Sequence, residues 1–131
     1  MKIGVDYYPE HWDKALWRAD ADLMQQIGVK LVRLAEFAWC RLEPREGEFD
    51  FAWLDEAVAL FAARGIEVVR CTPTSCPPMW LYEKHPEIVH VEKDGTLTNL
   101  GIRSHRCVTN PTFLQYADRI TIEMAKHYAD N

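Results

Sequence analysis

The strongest constraint on this chain is an alternation. Three short stretches rich in β-branched and aromatic residues take turns with three stretches whose apolar residues recur at helical spacing. Lys2–Tyr8 reads as a strand that stops at Pro9. From Asp13 a helix follows, with Leu16, Ala19, Leu23, Met24 and Ile27 on its apolar face and Gly28 just after it. Lys30–Ala35 is a second strand. Glu36–Asp50, with Pro44 and Gly47, reads as a loop, and a second helix runs from about Ala52 to Arg64. Gly65 ends that helix, and Ile66–Arg70 is a third strand. Between Thr72 and Pro111 the chain is long and irregular, with a helical turn expected at Met79–Lys84 and a hairpin around Asp94-Gly95. A third helix covers Pro111 to Tyr128, capped by Asn110 and facing inward with Phe113, Ala117, Ile120 and Met124.

Alternating strands and helices imply a parallel sheet with right-handed crossovers. Either a doubly wound sheet or a barrel can open this way. No glycine-rich phosphate loop follows the first strand, where Tyr7-Tyr8-Pro9-Glu10 stands instead. Asp6, Arg33 with Glu36, and Thr72 with Thr74 all lie at or just past the C-terminal ends of strands. Barrel enzymes carry their chemistry on that face. The fold class expected is therefore α/β, the first three β/α units of a (β/α)8 TIM-type barrel. A whole barrel takes roughly 250 residues against 131 here. Residues 1–131 are thus expected to form the N-terminal part of a catalytic barrel domain, an incomplete barrel with open strand edges.

Twenty Asp and Glu against fifteen Lys and Arg give a formal net charge of −5, with no basic block. That balance argues against nucleic acid, whose binding needs phosphate neutralisation. No apolar run reaches the roughly 18 residues that cross a bilayer, and the N-terminus lacks a secretory pattern. A cytoplasmic location is expected, with no membrane partner. In that compartment Cys40, Cys71, Cys76 and Cys107 are expected as reduced thiols.

Arg33 shares a strand face with Leu31 and Ala35, so its charge needs a carboxylate at the rim. Glu36 is three residues away. The pair reads either as a structural ion pair or as a polar clamp on a substrate. Tyr7, Tyr8, Trp12, Phe37, Trp39 and Trp80 gather around the expected mouth; such rings pack on sugar C–H faces, although packing is the commoner use of any one of them. The cysteines lack the paired spacing of a closed zinc site, and His105 and His127 read as surface or loop residues. Glu10, Glu36, Glu43, Glu46 and Glu48 are the loop carboxylates. None sits at the end of an expected strand with a polar partner as a second catalytic carboxylate would; Glu43 stands between Leu42 and Pro44, and the Glu46–Asp50 stretch reads as solvated loop charges.

Five ordered stretches then carry a resemblance. Gly4-Val-Asp-Tyr-Tyr-Pro-Glu-His-Trp12, Val32-Arg-Leu-Ala-Glu-Phe-Ala-Trp39, Leu42-Glu-Pro-Arg-Glu-Gly-Glu-Phe-Asp-Phe51, Thr72-Pro-Thr-Ser-Cys-Pro-Pro-Met-Trp80 and Arg103-Ser-His-Arg-Cys107 resemble, in order, the opening of glycoside hydrolase family 42 β-galactosidases. The resemblance implies a (β/α)8 barrel that hydrolyses terminal β-D-galactosidic bonds by the retaining mechanism. It implies that Arg33, Glu36 and Arg103 bind substrate through galactose hydroxyls. It also implies that Cys107 matches a cysteine that, in some members, joins three later cysteines around a structural zinc. Those three are absent here, so a zinc site within this chain would be incomplete. Ser104 and Arg106 depart from the family's usual wording after Arg103.

The family's two catalytic glutamates are expected beyond residue 131, so no catalytic residue is assigned and the isolated chain is expected to be inactive. No cofactor is implied beyond a structural zinc in the full-length parent, which the resemblance makes a homotrimer. The alternative, from another class, is a non-catalytic half-barrel that self-associates or binds sugar.

Overall fold

The structure is a computed structural model and describes residues 2–101 and 105–129. Its elements run β1 (Ile3–Asp6), α1 (Lys14–Gln26), β2 (Val29–Leu34), α2 (Trp39–Leu42), α3 (Ala52–Ala62), β3 (Glu67–Arg70), α4 (Met79–Lys84) and α5 (Pro111–His127). Single 3₁₀ turns stand at Pro9–His11 and Pro86–Ile88. The chain forms two compact units. One holds the residues up to Glu36 with Asp50–Cys71, and the other holds Phe37–Phe49 with the residues from Thr72 onward.

The first unit contains the sheet. Its three strands are parallel and lie in sequence order, β1-β2-β3. This is the strand order of an opening barrel, and the alternating elements make it an incomplete one. Val32 and Leu34 on one face of β2 are fully buried, with Trp17 and Ala21 of α1 and Leu54, Ala57 and Phe61 of α3. Both helices contact the sheet and each other. Phe61 meets Tyr7 edge to face at 5.5 Å, and removing its ring from water contributes roughly 2–3 kcal/mol. Asp13 caps α1 by accepting from the Ala15 amide at 2.9 Å. Gly28 (φ 84°) and Gly65 (φ 67°) leave the ends of α1 and α3 in the left-handed region that glycine adopts without strain.

The inward face of α1 differs from the one its periodicity suggests. Leu16, Leu23 and Ile27 are exposed, and Trp17 and Ala21 point inward. Trp17 is the largest apolar group on the helix, and its indole N–H donates to the Pro9 carbonyl at 3.1 Å. Seating that ring fixes the helix rotation and leaves Leu16, Leu23 and Ile27 along a groove with Asp6 and Tyr7.

The second unit is built on α5. Asn110 accepts from the amides of Thr112 and Phe113 (2.9 and 3.1 Å) and so caps it, with Pro111 in the first turn. Phe113, Ile120 and Met124 are buried, as are Leu81 and Tyr82 of α4 and Ile88. The hairpin at Asp94-Gly95 is closed by the Val91–Leu97 bridge and by the Glu92 amide donating to the Thr96 carbonyl at 2.8 Å. Within the stretch read as a loop, Trp39–Leu42 forms one helical turn. His105, read as a surface or loop residue, is buried with its ring 5.2 Å from that of Tyr82.

Candidate functional site

In the first unit, Asp6, Arg33 and Val69 occupy one row across the three strands. In a parallel ladder such partners share a face. This is the face opposite the buried Val32 and Leu34, and in a closed barrel it is the interior. Arg33 stands at its C-terminal end with its side chain 41% exposed. The Arg33 Nε lies 3.3 Å from Asp6 Oδ1, and its Nη2 donates to Glu36 Oε2. Hydrogen bonding with the Cys71 side chain, then the Glu36 and Asp6 carboxylates, push the Arg33 pKa above its ordinary value. The rim carboxylate demanded by a charged residue on the inner face is thus Glu36, with Asp6 as a second.

Glu36 reaches Arg33 because of the residue between them. Ala35 is fully buried with φ 69°, the one non-glycine residue at positive φ among the described residues. That conformation turns the chain at the end of β2 and carries Glu36 back over Arg33. Held strain of this kind is common where a side chain must be aimed. Ala35→Val is expected to destabilise the protein by about 3 kcal/mol or more, because a β-branched residue fits neither the φ nor the space. Ala35→Gly is expected to stay within about 1 kcal/mol of wild type, since relief of φ offsets the lost methyl. Urea denaturation of the two variants checks both values.

Next to this cluster runs an open groove of about 420 Å³ lined by Tyr7, Tyr8, Trp12, Leu16, Leu23 and Ile27 among others. Tyr7 is buried and donates from its hydroxyl to Asp20 Oδ2 at 2.7 Å. Burial and then Asp20 push its pKa well up, so it stays a neutral donor. Tyr7, Tyr8 and Trp12 belong to this unit, and Phe37, Trp39 and Trp80 belong to the other. Trp39 offers no sugar platform: it is fully buried, with its indole N–H donating to Glu43 Oε2 at 2.8 Å.

Glu43 is the residue that sequence reasoning missed. The sequence marks it only as a loop carboxylate between Leu42 and Pro44, yet it is fully buried in the second unit. Its Oε1 accepts from the Gly47 amide at 2.8 Å and from Arg119 Nη2, and its carbonyl accepts from Trp80 Nε1 at 3.0 Å. One available signal was the i,i+4 spacing of Trp39 and Glu43, which lets a single helical turn present a carboxylate to an indole. Glu46 stands at the surface, bonded by Lys84 and by the Tyr116 hydroxyl (2.8 Å). Lys84 and then Tyr116 hold the Glu46 carboxyl below its ordinary 4.5. A lowered folded-state pKa contributes stability above the unfolded value, and that stability is lost as pH falls through the folded one. Wild type is therefore expected to lose stability on acidification below about 4.5 more steeply than Glu46→Gln, as thermal melts across that range would show.

Arg103, the third substrate-binding candidate, lies outside the described residues. Arg106 holds its guanidinium 5.8 Å from the centre of the Phe113 ring, a cation–π contact with α5.

Comparison with known proteins matches this geometry to a family. The sequence model of the beta-galactosidase family, glycoside hydrolase family 42, fits residues 6–131. The chain belongs to this family. It is 54% identical over its full length to Beta-galactosidase BgaA of Clostridium cellulovorans and 45% identical over 126 residues to a beta-galactosidase of Thermus thermophilus. Crystallised beta-galactosidase from the psychrophilic Marinomonas ef1 superimposes on the whole chain with a TM-score of 0.94 at 37% identity. The polyextremophilic beta-galactosidase of Halorubrum lacusprofundi does so with a TM-score of 0.94 at 42% identity. The family 42 chain described here spans about a fifth of the length of each of these relatives.

The structural zinc implied by the family resemblance does not fit this stretch. Cys107 Sγ pairs with Thr109 Oγ1 at 3.4 Å, and this hydrogen bond lowers the thiol pKa. No group of three His, Cys, Asp or Glu side chains is placed to hold a metal ion among the described residues. No helix among the described residues is long and apolar enough to cross a membrane.

Proposed function

We propose that this chain is one wall of the galactose subsite in a retaining β-galactosidase. In the protein of the relatives' length, that enzyme cleaves terminal β-D-galactosidic bonds. The observation that carries the reading is the Asp6–Arg33–Glu36 cluster on the interior face of three parallel strands, at their C-terminal ends. A guanidinium with acceptors on two sides and a carboxylate fixed by it together offer donors and acceptors in a set geometry. Sugar hydroxyls, which both donate and accept, fit such a pair. Arg33 and Glu36 bind galactose hydroxyls in this reading, and Arg103 adds a further contact.

Retaining hydrolysis needs an acid/base carboxyl and a nucleophile carboxylate about 5–5.5 Å apart. We place both outside the fifth of the relatives that this chain spans. Cys107 is at most one ligand of a parent zinc, the chemistry itself uses no cofactor, and the cytoplasm is the proposed setting. The parent assembles as a trimer in this reading. The 131-residue chain alone self-associates through the exposed Trp12, Leu16, Leu23 and Ile27 beside the open edge of β1.

The purified 131-residue chain is therefore expected to show no turnover of nitrophenyl β-D-galactoside, and light scattering is expected to give a mass above one chain. Turnover that disappears in Glu36→Gln would overturn the division of labour between this stretch and the rest of the enzyme.

A further inference from the structure

Two consecutive residues at the end of β1 grip Arg33. The Asp6 carboxylate faces its side chain, Oδ1 to Nε, at 3.3 Å, and the Tyr7 amide donates to its carbonyl at 3.0 Å. The Arg33 Nε is closed off from water and has no partner in hydrogen-bond geometry, so small movements of Asp6 decide how firmly the ion pair holds. Asp6 has little of its own to keep it still. β1 is an edge of the three-stranded sheet, and none of Ile3–Asp6 is buried. The first buried side chain is that of Tyr7, which points away from Asp6 because neighbours in an extended strand alternate. Its ring meets Phe61 of α3 edge to face at 5.5 Å, and its hydroxyl donates to Asp20 Oδ2 of α1 at 2.7 Å. A ring held by packing alone can slide and tilt, whereas a charge-assisted bond at its tip fixes how deep it sits.

We infer that Tyr7 and Asp20 form a positioning pair for Arg33: their bond pins the end of β1 to α1 and so holds Asp6 against the guanidinium offered to a polyhydroxylated ligand. The inference rests on the galactoside reading of the Asp6–Arg33–Glu36 cluster. It assigns neither Tyr7 nor Asp20 a contact with the sugar. Tyr7→Phe keeps the ring and removes the bond. Asp20→Ala removes the acceptor, whereas Asp20→Asn keeps one at the same place.

The test uses the 131-residue chain labelled with nitrogen-15 and reads the exchange of the Arg33 Nε–H with water. Tyr7→Phe and Asp20→Ala are each expected to speed that exchange about fivefold, the scale of one lost hydrogen bond. The double variant is expected to add nothing further, since both changes remove the same interaction. Asp20→Asn is expected to stay within about twofold of wild type, because its carbonyl still accepts. The Nε–H of Arg64, bonded to Asp22 of the same helix at 2.7 Å, is the control and is expected to stay unchanged throughout. Arg33 exchange that does not change in the folded Tyr7→Phe or Asp20→Ala variant overturns the inference. Equal acceleration at Arg64 also overturns it, because α1 as a whole has then loosened. Acceleration confined to Arg33 and absent from Asp20→Asn supports it. D-galactose added to the wild-type chain probes the galactoside reading separately: an Arg33 signal that ignores the sugar counts against that reading and leaves the positioning role standing.

Discussion

Glu43→Ala is expected to lower the stability of the protein by about 3 kcal/mol, shifting its melting temperature down by roughly 10 °C. The substitution leaves the Trp39 indole N–H, the Gly47 amide and one side of Arg119 without their acceptor. Unpartnered donors at a buried position cost far more than the net worth of the bonds they had made. Arg119 is one-third exposed, so water recovers part of its loss, and the expected figure sits at the low end for a broken buried pair. Glu43→Gln is the sharper variant. All the groups facing the carboxylate are donors, so an amide would turn its own NH2 against one of them. It is expected to cost about 2 kcal/mol, although it preserves shape almost completely. Chemical denaturation of both variants checks the pair of values. A glutamine variant as stable as wild type would mean the carboxylate charge is not what holds this turn.

Much of the architecture was legible because its signals are local. Asp13 and Asn110 cap their helices with their own side chains, and Gly28 and Gly65 mark the ends of α1 and α3. The bounds of α4 and α5 also follow the sequence closely, Met79–Lys84 and Pro111–His127 against an expected end at Tyr128. The strands are shorter than their apolar stretches suggest, since β1 stops at Asp6 where the row with Arg33 ends. The pairing demanded of Arg33 was readable from period-two alternation alone, and Glu36 was near enough in sequence to be named.

What stayed hidden depends on partners far along the chain. Glu43 reads as no more than a loop carboxylate because nothing nearby announces Arg119, 76 residues later. His105 is buried by Tyr82 across the hairpin region, again a long-range packing choice. The α1 face went astray because periodicity counts apolar positions equally, whereas Trp17 alone outweighs the leucines once its N–H has found Pro9. The left-handed Ala35 could not be read either, since alanine carries no sequence mark of positive φ.

The second large effect concerns activity. The 54% identity with Beta-galactosidase BgaA of Clostridium cellulovorans makes that protein the host for a graft in which this chain replaces the segment it matches. In such a graft, Glu36→Gln is expected to lower kcat/KM for a nitrophenyl β-D-galactoside roughly 100-fold, and Arg33→Met by a similar factor. In the proposed reading each removes a charge-assisted bond to the sugar, and each breaks the Arg33–Glu36 pair. Glu48→Gln breaks only an exposed pair with Arg45 and is expected to leave kinetics unchanged. Equal losses at Glu36 and Glu48 would mean that general destabilisation, rather than contact with galactose, is being measured.

The unmodified graft tests the central claim most directly. Hydrolysis of the β-galactoside is expected from the graft and none from the isolated 131-residue chain, since in the proposed reading the grafted stretch supplies the galactose wall and its host the two catalytic carboxylates. A graft that folds and melts as the parent does, yet fails to hydrolyse the galactoside, would contradict it.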